Sequence, residues 1–358
     1  MPPDALAVAL LTGAAGGIGG QVVKEAWKAV GSGWLEGYFR DHAPKAQEQA
    51  QQNVAEFLAG LAVRVNRLAD AIGPTAGMQQ KVEAGLQDPD FSVVLKGAIL
   101  SAARSSNKVK HNVLARAVAE RLAAAPESTE ALASSIAVEA IPRLSAVHLN
   151  LLRIAAIVYA IRPPGLPLPE RPEDTDDGGT TPAEKQALNA YPDWLRTALA
   201  LVPRADEVRA SDYTHLASSG CLIVERRVWL DIENVFRPTG GRWLSLAAAG
   251  GYGERVRDFL GSDEEGRALT SLWEDGLRHV ILAPAGLLIG TAAHDVQSQS
   301  ETPISWATAP AAFLAPPEQL EIWDGRGGIR REFMDVLERE IRDLASRDVG
   351  FWRHLDRS

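Results

Sequence analysis

Residues 162–185 read RPPGLPLPERPEDTDDGGTTPAEK, with six prolines, three glycines and six acidic residues. Proline removes backbone donors, glycine is entropically expensive to order, and clustered acids repel one another. No packed helix or strand suits that composition, so the segment is expected to be a mobile linker. It divides the 358-residue chain into two parts of ordinary domain size, residues 1–161 and 186–358.

Upstream of the linker, apolar residues recur at spacings of three and four. In NVAEFLAGLAVRVNRLADAIG, residues Val54, Phe57, Leu58, Leu61, Val65, Leu68 and Ile72 fall on one stripe, the pattern of an amphipathic helix ended by Gly73-Pro74. DPDFSVVLKGAILSAARS predicts a second helix with Asp88 or Asp90 accepting from its free amides. NKVKHNVLARAVAERLAA predicts another, and STEALASSIAVEAIPRL a further one capped by Ser128. SAVHLNLLRIAAIVYAI is more apolar than these but carries Arg153 at its centre, which would be expensive in lipid. It reads as the central helix of a bundle. No run of period two appears in residues 45–161, so this part is expected to be an all-helical domain.

Downstream the texture changes. A short helix in AYPDWLRTALALV precedes RASDYTHLASSGCLIVERRVWLDI, where a helix through Tyr213 and Leu216 ends near Gly220 and passes into a β-like run. WEDGLRHVILAPAGLLIGTAAH then reads as a strand, a turn at Ala283-Pro284 and a short helix. Helix, glycine, strand and returning strand outline a winged-helix-like α+β domain over 186–358, with a long insertion. A final amphipathic helix places Phe333, Leu337, Ile341 and Leu344 on one face. The fold class is therefore mainly α, a helical bundle followed by the winged-helix-like domain.

Charge and cysteine usage exclude several functions. Residues 1–160 hold 15 basic against 14 acidic side chains and the remainder 22 against 32, so the net charge of -9 falls almost wholly on the second part. Phosphate contact draws on cationic side chains, and an acidic second part argues against specific DNA binding. The lone cysteine, Cys221, rules out an intramolecular disulfide and cysteine-rich metal sites and suits a reducing compartment. The start, Met1-Pro2-Pro3-Asp4, lacks the basic region of a secretory signal. HExxH, GxSxG and GxxxxGK are absent, so no catalytic, cofactor-binding or metal-ligating residue is assigned.

The stretch VALLTGAAGGIGGQVV at 8–23 admits two readings. Thr12-Gly13 with Gly17-Ile18-Gly19 resembles the TGxxxGIG motif of short-chain dehydrogenases, which would imply an NAD(P)-dependent oxidoreductase. That chemistry needs a parallel sheet, an acid about twenty residues later and the family's Tyr-x-x-x-Lys. Glu36 and Asp41 lie in a segment without a strand pattern, and the residues four beyond Tyr38, Tyr159, Tyr191, Tyr213 and Tyr252 are His42, Pro163, Leu195, Ala217 and Val256. The other reading is a helix in which Ala9, Gly13, Gly16, Gly17 and Gly20 form one strip of small residues, allowing a second helix to approach closely. The five glycines of the stretch, Gly19 included, would cost about 1 kcal/mol each relative to alanine in a helix, so something must pack on that strip. Residues 5–23 are 19 consecutive uncharged positions, nearly enough at about 1.5 Å each to span a bilayer core of about 30 Å. Packing in the bundle, self-association and conditional membrane insertion all remain open for it.

Elsewhere, Arg104, Lys108, Lys110, Arg116 and Arg121 form a basic cluster. It reads either as a solvated helix face or as a patch for an anionic partner or lipid headgroups. His148 reads as a hydrogen-bonded core histidine, and His294-Asp295 as an acid/base pair or an ordinary helix end.

The segments LQDPDFSVVLKGAILSAARSS, VEAIPRLSAVHLNLLRIAAIVY, LASSGCLIVERR and VILAPAGLLIG resemble the abortive-infection alpha (Abi-alpha) proteins of bacteria. The resemblance implies a cytoplasmic protein of phage defence that acts through contacts or membrane damage rather than an enzyme site. The function expected is thus a non-enzymatic defence protein working by self-association, partner binding or membrane perturbation through its glycine-rich N-terminal helix. It would lie in the cytoplasm, with contact at the inner membrane under some conditions.

Overall fold

A computed structural model describes residues 43–72, 84, 87–159, 196–197, 199–200, 207–224 and 258–298. Helix α1 runs Pro44–Ile72, with proline at the first helical position where its missing N–H is no loss. Its stripe is real as far as Val65: Val54, Phe57, Leu58, Leu61 and Val65 are buried.

The next three helices begin where a polar side chain can take a free amide. Helix α2 (Pro89–Ala103) follows Asp88, whose carboxylate accepts from the Asp90 amide at 2.9 Å. Helix α3 (Lys108–Ala123) follows Asn107, whose Oδ1 accepts from Val109 at 2.9 Å and from Lys110 at 3.4 Å. Helix α4 (Thr129–Ala140) follows Ser128, whose Oγ accepts from Ala131 at 3.2 Å. Pro142 sits in the 3-10 turn Ile141–Arg143 that closes α4, and helix α5 (Ala146–Tyr159) follows.

Helix α6 (Ala210–Ser218) ends in a left-handed turn. Gly220 has φ of +72°, the Cys221 amide donates to the Leu216 carbonyl at 2.9 Å, and the Gly220 amide donates to the Ala217 carbonyl at 3.0 Å. These are the paired bonds of a Schellman cap, for which glycine is favoured. Strand β1 (Leu222–Val224) leaves the cap and pairs antiparallel with strand β2 (Val280–Leu282), Leu222 opposite Leu282 and Val224 opposite Val280. Between them in sequence lies helix α7 (Glu264–Asp275), and β2 leads directly into helix α8 (Pro284–Ser298).

Among the described residues the chain is mainly helical, and the two strands span three residues each. Helix α1 packs on α2 and α3, and α3 on α4, while α8 packs against α3, α4 and most extensively α5. One apolar core therefore contains helices from both sides of the 162–185 segment, with Ile154, Ile157, Leu288 and Ile289 in the same cluster as Phe57 and Phe91. The approach of α8 to α5 is tight at Gly290, where a Cβ would strike the Leu152 carbonyl. Among the described residues no helix is long and apolar enough to cross a membrane.

Candidate functional site

Helix α3 is buried on nearly every side, from Val113 through Ala119. Within that buried span a charge cannot turn to solvent, so it needs an internal partner. Arg116 is 3 % exposed, and its Nη1 donates to Oδ2 of Asp295 on α8, itself 6 % exposed. The Arg116 Nε lies 3.6 Å from Oε1 of Glu120, one turn along α3. Next to Asp295 in sequence but turned about 100° around the helix, His294 is buried and feels the charge of Arg153 on α5. Burial first, and then Arg153, hold its imidazole below the usual histidine range. Burial likewise lowers the Arg153 guanidinium to about 10, which leaves it cationic at neutral pH.

A second polar group joins the starts of α5 and α6. The Ser145 amide donates to Nδ1 of His148 at 3.1 Å, while the His148 amide donates to Ser145 Oγ at 3.3 Å. This is a reciprocal cap with histidine in the place usually taken by glutamate. With Nδ1 accepting, the proton of the neutral ring sits on Nε2, which lies 3.0 Å from Asp212 Oδ1. Oδ2 of Asp212 accepts the Arg209 amide at 2.7 Å and so caps α6. The ring of His215 stacks on His148 with centroids 4.7 Å apart.

This geometry constrains the chemistry. A catalytic histidine keeps one nitrogen for its orienting carboxylate and the other for substrate, whereas both nitrogens of His148 are occupied by the fold. Asp295 accepts from Arg116 on α3, while His294 feels the charge of Arg153 on α5. Burial pushes the Cys221 thiol up to about 12, so the thiolate needed for nucleophilic attack is not populated near pH 7. Among the described residues, no group of three histidine, cysteine or carboxylate side chains is placed to hold a metal.

The glycine strip, Ala9, Gly13, Gly16, Gly17 and Gly20, lies outside the described residues, as do residues 162–185 and the amphipathic stretch from Phe333. The basic cluster does not hold together as a solvated patch. Arg104 and Lys108 are exposed, and Lys110 Nζ donates to the Pro142 carbonyl at 3.4 Å. Arg116 is engaged by Asp295 in the core, and Arg121 donates from Nη2 to Asp88 at 2.6 Å. The correction follows from the all-round burial of α3, which turns two of the five cations inward. Sequence reasoning missed the Arg116–Asp295 and His148–Asp212 pairings because their members stand 179 and 64 positions apart. One signal was available: Arg116 stands in the apolar run VLARAVA, which implies that its charge is paired inside.

A protein-family model matches residues 20–241, more than half of the chain. No curated protein matches the chain. No solved structure matches it either.

Proposed function

The chain belongs to that uncharacterised family, and we propose that it is a non-enzymatic effector of bacterial phage defence, of the abortive-infection alpha kind, restrained by the docking of α8. The observation that carries the proposal is the buried Arg116–Asp295 pair, which ties α8 to α3. Apolar packing selects the register of a helix through the fit of side chains. A buried ion pair adds little net stability but demands one register. A helix held this way is a discrete two-state element whose equilibrium a partner can bias. Release of α8 would expose the apolar faces of α5 and α8 and allow association with another copy, a protein partner or a membrane.

Two features support a contact function over catalysis: the doubly occupied His148 and the high-pKa thiol of Cys221. The strip from Ala9 to Gly20 is the proposed associating element, acting in the cytoplasm or against the inner membrane. The order α6, Gly220, β1, β2 fits a winged-helix-like module, and the acidic surplus beyond the linker favours a protein partner for it over duplex DNA. The test is infection of a bacterial host expressing the full chain, at low and high phage multiplicity, with phage yield per infected cell and host survival measured. Death of infected cells with sharply reduced yield is expected. Unchanged yield and lysis time across a broad phage panel would overturn the proposal.

A further inference from the structure

We propose that the interface of α5 and α8 contains a binding site for a short aliphatic monocarboxylate, gripped by the guanidinium of Arg153. Arg153 is 3 % exposed, and among the described residues neither its Nε nor its Nη2 has a hydrogen-bond partner. A buried cation with unfilled donors is among the most costly features a core can carry. Other buried charges of the neighbourhood are matched within the chain: Arg116 by Asp295, and Arg121 by Asp88. His294 cannot serve as the counter-charge, because an imidazole is neutral or positive but never negative.

The two unfilled donors identify the ligand. In a planar guanidinium, Nε–H and the nearer N–H of Nη2 point in parallel from one edge, at the spacing of the two oxygens of a carboxylate. A water bridging them would leave the charge uncompensated. A halide supplies charge but only one centre for two parallel donors. One turn to either side of Arg153 on α5, Leu149 and Ile157 are 4 % and 0 % exposed, so the flanks suit an aliphatic tail rather than a second polar group. On the opposing helix, His294 stands one turn beyond Gly290, the point of closest approach. The carboxylate would therefore lie beneath α8.

The experiment follows the thermal midpoint of the full chain against sodium formate, acetate and butyrate, with sodium chloride at matched ionic strength as the reference. Wild-type protein is expected to show a saturable rise with the carboxylates and none with chloride. Arg153→Lys loses the two-pronged edge and is expected to bind about tenfold more weakly, the equivalent of one charge-assisted hydrogen bond. Arg153→Met removes the uncompensated charge, so it is expected to match or exceed wild-type stability without carboxylate and to ignore formate. A chloride response equal to that of formate, an undiminished response in Arg153→Lys or Arg153→Met, or no saturable response in wild type would each overturn the assignment.

Discussion

Replacing Asp295 by alanine removes an acceptor from the Arg116 guanidinium, which is buried in the core. Both side chains are almost fully enclosed, at 3 % and 4 % exposure. Breaking such a pair from one side costs about 3–5 kcal/mol, because the remaining charge stays buried. Glu120, 3.6 Å from Arg116 Nε and 20 % exposed, retains part of the compensation, which places Asp295→Ala near the lower end, about 3 kcal/mol. That is a large share of the roughly 5–15 kcal/mol by which folded proteins exceed their unfolded states. For a cooperative unit of this size it corresponds to a fall of about 6–12 °C in thermal midpoint. The double variant Arg116→Met/Asp295→Leu removes both charges and fills similar volume, so it should return to within about 1 kcal/mol of wild type or exceed it. Urea denaturation of the full chain followed by far-ultraviolet circular dichroism reads all three. A loss under about 1 kcal/mol in Asp295→Ala, or a double variant as unstable as the single one, would refute the buried-pair reasoning.

Further outcomes follow from other contacts. Gly290→Ala should destabilise by about 1–3 kcal/mol, since its Cβ would strike the Leu152 carbonyl, whereas Gly97→Ala, whose Cβ meets Val138 Cγ1 at 3.5 Å, should gain up to about 1 kcal/mol of helix propensity; paired denaturation curves check the opposite signs. Because the folded-state imidazole of His294 is held low by burial and by Arg153, the unfolded chain binds the extra proton. Stability should therefore be lost as pH falls below about 6.5, by at most about 1.4 kcal/mol per unit, with the loss abolished in His294→Gln. For Asp88, burial raises the carboxyl pKa, but the Asp90 amide, Arg121 and the Phe91 amide outweigh it and hold the group below its ordinary value. Its stabilisation is present above about pH 4 and lost as pH falls through the folded value, so acid titration of Asp88→Asn should be flatter there than that of wild type. In the N-terminal strip, Gly16→Leu or Gly20→Leu should disrupt association or activity while alanine is tolerated at one or more of the glycine positions. Equal damage from alanine and leucine at Gly13 and Gly17, without change in association, would point back to a nucleotide-binding turn.

The helical elements were largely legible because their signals are local. A stripe such as Val54 to Val65 and caps such as Asp88, Asn107 and Ser128 depend on residues within a few positions of one another. Gly220 marked the end of α6 for the same reason, since a left-handed cap favours glycine. The joining of α8 to the N-terminal helices was not legible, because periodicity reports that a helix has an apolar face and not which face covers it. The site suffered in the same way: Arg116 and Arg121 look alike in sequence to Arg104, and their inward orientation depends on α3 being enclosed by α1, α2, α4 and α8. The pairing of His148 with Asp212 likewise needed the tertiary placement of α6.

Docking of α8 over a buried ion pair is the proposed restraint on a defence effector, and phage yield per infected cell tests it most directly. Hosts expressing wild-type chain and hosts expressing the apolar replacement Arg116→Met/Asp295→Leu would be infected in parallel, with both proteins confirmed folded and equally abundant. Wild type is expected to cut the yield, while the replacement, with α8 fixed by apolar contacts, is expected to leave it near the level of hosts without the protein. Equal protection by the two would contradict the restraint, and protection by neither would contradict the defence function itself.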